Sequence, residues 1–160
     1  SINHFYNPTK KKGLYGQRNA LKLTQKYYKI VIDSFKENDI EKSMFYLGAA
    51  VHIIQDLTIP QHVNIRLLDN HRQYENFVKT AYDKVKDFGT LDKPIVFDEI
   101  EDFVRFNTKV ALRIYKQFKK IKDDNLRFYK TTRCSLPLAQ RTTAGCLIMF
   151  LRKVNSIDLK

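Results

Sequence analysis

One stretch of this sequence, residues 40–58, constrains the fold more than any other. Most of its side chains are apolar, and they recur at the three- and four-residue spacing of an α-helix. One stripe consists of Met44, Leu47, Val51 and Ile54, and a second consists of Phe45, Gly48 or Ala49, His52 and Asp56. A helix with two such stripes keeps little polar surface, so we expect it to be central and buried. Pro60 lacks the amide hydrogen that a continuing helix needs, and it predicts the end of this helix.

The rest of the chain is also helical in pattern and shows no β-alternation. A length of 160 residues with 43% hydrophobic residues suits one compact domain, residues 1–160. Further helices are predicted at residues 17–36, 71–88 and 98–121, and after Pro137 to about residue 154. The predicted fold is therefore all-α, with about five helices around the one at 40–58.

Three of the four histidines lie within residues 48–75. His52 is four residues before Asp56, and His71 is four residues before Glu75, so each pair shares one helix face. An imidazole and a carboxylate directed at one point can hold zinc. The alternative is that the pairs are surface ion pairs or satisfied buried histidines. The apolar surroundings of His52 favour the metal, because an ionisable pair without a partner is costly to bury there.

Four segments resemble the zinc-dependent bacterial phospholipases C of the alpha-toxin-like family. Residues 45–62 resemble the motif F-Y-L-G-x-x-x-H-x-x-x-D-x-x-x-P-x-H, and residues 71–77 resemble H-x-x-Y-E-x-F. Residues 4–8 resemble H-F-Y-D-P, and residues 139–145 resemble A-Q-R-x-T-A-G. The segments follow the family's order across nearly the whole chain. The fungal single-strand-specific nucleases share this fold and form the neighbouring interpretation.

The resemblance implies up to three zinc ions that hydrolyse a phosphodiester. Carried over residue by residue, it implies one complete three-ligand site, formed by His62, His71 and Glu75. It also implies three of the four ligands of a second site, namely His4, His52 and Asp56. Asp56 would bridge to a third ion. Clustered zinc ions polarise a phosphoryl oxygen and activate water near neutral pH.

The chain also departs from the family pattern at its start. Family members begin with a tryptophan that binds zinc, and a further His and an Asp proposed as general base follow it. This chain has no Trp and only three residues before His4, so the general base is not present in this chain. We expect either the C-terminal part of a longer enzyme, with the missing N-terminal segment as a partner, or a reduced homologue. The aromatic residue that contacts a choline headgroup is replaced by Ser1.

The chain is strongly basic, with a net charge of +12 and a pI of about 9.7. This predicts attraction to an anionic partner, either a phospholipid or membrane surface or, less favoured by the motifs, nucleic acid. The lysines are spread along the chain, so a merely solvated basic surface is the alternative. No apolar run reaches the length of about 20 residues that spans a membrane. The resemblance implies a secreted enzyme.

Cys134 and Cys146 are the only cysteines, and their spacing leaves a disulfide and two free thiols both open. For function, three hypotheses remain. The first is a phospholipase C that releases a phosphorylated headgroup from a phospholipid, present here as an incomplete C-terminal part. The second is a single-strand nuclease-like phosphodiesterase. The third is a non-catalytic helical module that binds zinc or membranes.

Overall fold

The computed structural model describes residues 20–63 and 70–156, and this part of the chain contains α-helices and no strand. The all-α prediction is confirmed. The six helices are α1 (Ala20–Lys36), α2 (Ile40–Asp56), α3 (Pro60–Val63), α4 (His71–Ala81), α5 (Ile100–Phe118) and α6 (Asp124–Asn155). A single 3₁₀ turn, Lys86–Phe88, lies between α4 and α5. Within these residues, none of the helices has the length and apolar character needed to cross a membrane.

Helix α2 is the central element, as predicted, and it packs against α1, α5 and α6. Its buried residues Ala50, Ile53 and Ile54 are fully inaccessible to solvent. α1 and α2 form a tight pair because Asn38 adopts a left-handed conformation (φ 60°) that ends α1. The Asp39 side chain then caps α2 by accepting a hydrogen bond from the backbone N–H of Lys42, at 3.1 Å.

The two stripes of α2 differ in their exposure to solvent. The first stripe is largely covered, and Leu47, Val51 and Ile54 belong to the core. The second stripe lies open, with Phe45 71% exposed and His52 also exposed. The expectation that both stripes are covered was therefore wrong for the second one.

Proline plays different roles at two positions. α2 ends at Asp56, before Pro60, as predicted, but a further short helix follows it. Proline fits the first position of a helix because its missing N–H is not needed there. Pro60 accordingly begins the one-turn helix α3, which places His62 on a helix and not on an irregular turn. Pro137 lies inside α6, which begins 13 residues earlier at Asp124. There the loss of one backbone hydrogen bond is outweighed by packing along a 32-residue helix capped by Asp123.

The two cysteines lie on the same continuous helix, α6, and both are free thiols. Twelve residues along an α-helix span about 18 Å, well beyond the reach of a disulfide. The structure therefore excludes the disulfide between them. Cys146 is buried, and this burial raises the pKa of its thiol to about 12.

A close backbone approach explains one glycine of the 139–145 motif. A Cβ atom on Gly145 would lie 1.7 Å from the carbonyl oxygen of Ile95. The extended segment before α5 can cross α6 only because this side chain is absent. The backbone N–H of Ile95 donates to the Arg141 carbonyl oxygen at 3.1 Å, and Arg141 Nε donates to the Lys93 carbonyl oxygen at 2.9 Å. This part of the motif therefore holds the segment on α6.

Candidate metal centre

His62, His71 and Glu75 converge on one point, although they lie on two helices. His62 is on α3, while His71 and Glu75 occupy successive turns of α4. The Nε2 atoms of His62 and His71 are 2.9 Å apart, and His71 Nε2 lies 3.3 Å from Glu75 Oε1. One ligand atom from each of the three residues lies within 4.8 Å of the others.

These distances suit a shared metal ion. Two nitrogens bound to one tetrahedral zinc at 2.0–2.1 Å are about 3.3 Å apart. The observed spacings of the ligand atoms are close to this value, so a small adjustment would admit the ion. Two imidazoles and one carboxylate form a donor set that zinc accepts, with a fourth position left for water or substrate. The donor set and its spacing therefore fit zinc.

The three ligand side chains differ in how much of each is exposed to solvent. The His62 side chain is only 9% exposed, the His71 side chain is partly exposed, and the Glu75 side chain is 54% exposed. The site is therefore anchored in the protein through His62 and opens to solvent beside Glu75. Such an opening is what a substrate would need in order to reach a bound ion.

Asp56 lies between His62 and a second histidine, His52. Its Oδ2 atom is 3.6 Å from His52 Nε2 and also 3.6 Å from His62 Nδ1. His62 therefore directs one ring nitrogen to Asp56 and the other to His71. At 3.6 Å the carboxylate is beyond hydrogen-bond distance, but it lies on the far side of the imidazole, where a carboxylate can orient a metal-binding histidine. The structure thus brings His52 and Asp56 together, while His4 lies outside the described residues.

The end of α2, which carries Asp56, is anchored by Asn107 of α5. Asn107 is fully buried, and its Nδ2 atom donates to the Ile54 carbonyl oxygen at 2.9 Å and to Thr142 Oγ1 at 3.1 Å. Helix C-termini leave such carbonyl groups without helical partners, so this side chain fixes the last turn of α2. The sequence reasoning missed Asn107. An asparagine amid the apolar positions of a helix was the available signal, because a buried amide requires partners.

Helix α4 is anchored to α6 at two points. The hydroxyl of Tyr74, next to Glu75, lies 3.1 Å from Ser135 Oγ. Asn70, the residue before His71, donates through Nδ2 to Asp124 Oδ2 at 3.1 Å. Burial raises the pKa of Tyr74, although hydrogen bonds to Ser135 and another α6 hydroxyl oppose the rise. The phenol therefore remains neutral and keeps its place between the helices.

A groove of about 700 Å³ lies beside the candidate metal centre. It runs between α2, α4 and α6, and most of its surface is apolar. Glu75 belongs both to the wall of the groove and to the three-residue group. Gln55 and Thr143 also line the groove, and Gln55 Nε2 donates a hydrogen bond to Thr143 Oγ1 at 3.0 Å. Clefts of this size and character commonly hold ligands.

In this chain, neighbouring helices bring imidazole and carboxylate groups together, as they do in metal-binding helical bundles. The fold and the site therefore place the chain in the class of helical metal-binding proteins. Comparison with known proteins gives the family. The sequence profile of the zinc-dependent phospholipases C matches residues 2–132. This chain therefore belongs to the zinc-dependent phospholipase C family, which confirms the resemblance drawn from the motifs.

Individual relatives are similar over different spans. A phospholipase C of Bacillus cereus is 36% identical over 89 residues, which are 52% of this chain and 31% of that protein. A phospholipase C of Listeria monocytogenes is 27% identical over 173 residues, covering 96% of this chain and 59% of that protein. The structure of the alpha toxin from Clostridium absonum superimposes with a TM-score of 0.77 at 20% identity, over 98% of this chain and 50% of that chain. The chain thus spans between a third and three fifths of the length of these proteins.

Proposed function

We propose that this chain is the metal-binding part of a phospholipase C, which hydrolyses a phosphodiester bond and releases a phosphorylated headgroup from a phospholipid. The observation that carries the proposal is the convergence of His62, His71 and Glu75 on one point. His71 Nε2 lies 2.9 Å from His62 Nε2 and 3.3 Å from Glu75 Oε1, and all three ligand atoms lie within 4.8 Å of one another. Membership of the zinc-dependent family and relatives called phospholipase C support it.

Zinc bound by this group would polarise a phosphoryl oxygen and activate water near neutral pH. The chain's own residues hold and orient the site. His62 provides its buried anchor, and Asp56 faces the other nitrogen of that imidazole. We also expect Asp56 to bind a second ion together with His52 and His4, and to bridge from it to a third. The general base is expected from a segment that is not present in this chain.

The surroundings of the site support a lipid substrate. The groove beside Glu75 is mostly apolar, so it can accept the hydrocarbon portion of a lipid whose phosphate lies at the metal centre. The net charge of +12 favours approach to anionic headgroups. We further propose that the protein is secreted, as the family resemblance implies, and that it meets its substrate at a membrane surface.

The test uses the purified chain loaded with zinc and a short-chain phosphatidylcholine that is soluble as a monomer. Release of phosphocholine is measured for the wild type, for Glu75→Ala and for the control Gln73→Ala. Gln73 is exposed on the same helix as Glu75, so its replacement leaves the ligand group intact. Because zinc lowers the pKa of a bound water even without a general base, we expect slow, zinc-dependent hydrolysis by the wild type and the control, and its loss in Glu75→Ala.

Two results would redirect the proposal. Hydrolysis of single-stranded DNA with no hydrolysis of the lipid would identify a nuclease-like phosphodiesterase. Zinc binding with neither hydrolysis would identify a binding module.

A further inference from the structure

One short segment at the junction of two helices is strongly basic. Residues 113–133 contain eight Lys and Arg residues and two Asp residues, a net charge of +6. This is half of the chain's net charge of +12 in 21 of its 160 residues. Residues 9–29 carry a comparable net charge of +7, so the lysines are spread along the chain as expected, and it is position in the fold that distinguishes residues 113–133.

The cations of residues 113–133 lie on two neighbouring helices and on the connection between them. The segment comprises the last six residues of α5, the connection 119–123 and the first turns of α6. Seven of its eight cations are exposed, and we call them the basic surface: Arg113, Lys116, Lys119, Lys120, Lys122, Lys130 and Arg133. No ion pair joins any of the seven to an acidic residue within 20–63 and 70–156. Their charge is therefore available to a partner.

The two acidic residues of the segment are engaged elsewhere. Asp123 caps α6 by accepting a hydrogen bond from the backbone N–H of Leu126 at 2.7 Å. Asp124 forms an ion pair with Arg127 and accepts a hydrogen bond from Asn70. Arg127, the one cation left out of the basic surface, is thereby neutralised together with Asp124. These acids offset little of the charge that the seven cations present to solvent.

The basic surface also contains a small cleft of about 230 Å³ between α5 and α6. Phe118 and Tyr129 line it, and Lys130 and Arg133 stand at its rim. Lys and Arg side chains are the usual partners of phosphate groups, and Arg can bind two of the oxygens at once. A cleft with cations at its rim and aromatic walls suits the headgroup and adjoining atoms of an anionic phospholipid.

The basic surface lies at the end of the molecule that carries the candidate metal centre. The hydrogen bond from Asn70 to Asp124, at 3.1 Å, holds the start of α4 against the start of α6. His71, a member of the three-residue group, directly follows Asn70. A protein attached through the basic surface would therefore hold its metal centre close to the layer of headgroups.

We propose that the basic surface binds a bilayer containing anionic phospholipid. The choice of a lipid over a nucleic acid rests on the proposed phospholipase C function. Cations near an anionic bilayer are attracted by its surface potential, and the attraction decays within about one Debye length, so it requires contact. Attachment increases the local concentration of substrate at the metal centre without altering the chemistry there.

The test compares two variants of equal charge. In the first, Lys116, Lys119, Lys120 and Lys122 are replaced by Gln. In the matched control, four exposed lysines away from this end are replaced by Gln, namely Lys26, Lys36, Lys42 and Lys153. Both variants have a net charge of +8, since each loses four of the positive charges that give +12. Binding is measured by co-sedimentation with vesicles of phosphatidylcholine alone and of phosphatidylcholine mixed with phosphatidylglycerol.

We expect the wild type and the control to bind the mixed vesicles, and binding by the first variant to be at least about tenfold weaker. Equal weakening in both variants would overturn the proposal, because net charge alone would then explain binding. Absence of wild-type binding to the mixed vesicles would also overturn it, as would binding of the wild type to single-stranded RNA alone. If the fourfold variant does not fold, Lys120→Glu with Lys122→Glu provides the same comparison with two substitutions.

The outcome is separable from that of the proposed function. Zinc content and hydrolysis of a soluble monomeric ester report on the metal centre, whereas vesicle binding reports on the basic surface. Loss of the first two with vesicle binding retained would reject the phospholipase activity only. Retained hydrolysis without vesicle binding would reject the basic surface only.

Discussion

His62 and His71 face each other through their Nε2 atoms at 2.9 Å, across the junction between α3 and α4. In the absence of a metal, one of these nitrogens must carry a proton and the other must accept it, since two protonated nitrogens would repel. A zinc ion between them satisfies both nitrogens at once. His62 makes this approach from the one-turn helix α3, and His71 makes it from the first position of α4.

Gly145→Ala should destabilise the fold, although alanine is the better helix former. The new Cβ would lie 1.7 Å from the Ile95 carbonyl oxygen, so the segment before α5 would have to move off α6. We expect a loss of about 1–3 kcal/mol in the free energy of unfolding, measured by urea denaturation.

The matched control for this prediction is Gly48→Ala. Gly48 lies within α2, and a Cβ atom added there would meet no neighbouring element of the described chain within 4 Å, so helix propensity should decide its effect. We expect Gly48→Ala to stabilise the protein by about 0.5–1 kcal/mol. Equal effects of the two substitutions would mean that the contact between Gly145 and Ile95 is not close in solution.

Asn107→Ala should loosen the end of α2. The substitution leaves the Ile54 carbonyl oxygen and the Thr142 hydroxyl without the amide that binds both. We expect a loss of about 1–3 kcal/mol by urea denaturation, since both groups are buried. The exposed Asn76 on α4 provides the control, and Asn76→Ala should change stability by less than about 0.5 kcal/mol. An Asn107→Ala protein as stable as the wild type would show that this bond does not hold α2.

Stability should fall between about pH 10 and pH 12, in part through Tyr28. Burial, aided by Cys146 and Glu99, raises the pKa of Tyr28 from 10.0 to about 12. In this window the unfolded chain loses the phenol proton and the folded protein keeps it, so the unfolded state is favoured as pH rises. The contribution of Tyr28 is complete below pH 10 and lost as the pH rises to about 12.

Tyr28→Phe should therefore flatten this decline, as measured by urea denaturation at about pH 9 and about pH 11. The Tyr28 hydroxyl has no hydrogen-bond partner in the part of the chain that the structure describes, so its removal should cost little at neutral pH. Tyr82→Phe, at an exposed position, should leave the pH dependence unchanged. An identical decline in the wild type and Tyr28→Phe would count against the raised pKa.

The two thiols should differ sharply in reactivity. Cys134 is exposed on α6, whereas Cys146 is buried with its thiol pKa raised to about 12. A thiol reagent at neutral pH should modify one cysteine per folded chain and both after unfolding in denaturant. Cys134→Ser should abolish the modification of the folded protein. Rapid modification of both cysteines in the folded state would contradict the packing of α6 against the core.

The helical periodicity was sufficient to predict α2 and α5, because their apolar positions recur over several turns and are covered in the structure. It did not predict the short helix that Pro60 begins or the continuation of α6 through Pro137, because a proline usually marks the end of a helix. Packing decided both cases, and a single sequence does not show it. The exposed Phe45 likewise follows a core-like pattern without being covered.

The candidate site could be anticipated in part. The i, i+4 spacing placed His71 beside Glu75 and His52 beside Asp56, since one helix face determines both pairs. The approach of His62 to His71 could not be derived from spacing, because it depends on the path between α3 and α4. The role of Asn107 also could not be derived from spacing, because its hydrogen-bond partners are 53 and 35 residues away in the sequence.

The candidate metal centre is tested by zinc binding to the purified chain. Zinc is titrated into metal-free wild type, His62→Ala, His71→Ala and the control Gln73→Ala, and bound metal is measured after equilibrium dialysis. We expect at least one tightly bound zinc per wild-type and control chain, with binding at least about a hundredfold weaker in both histidine variants. A folded wild-type chain that takes up no zinc, or histidine variants that bind it as tightly as the control, would show that His62 and His71 do not form a metal site.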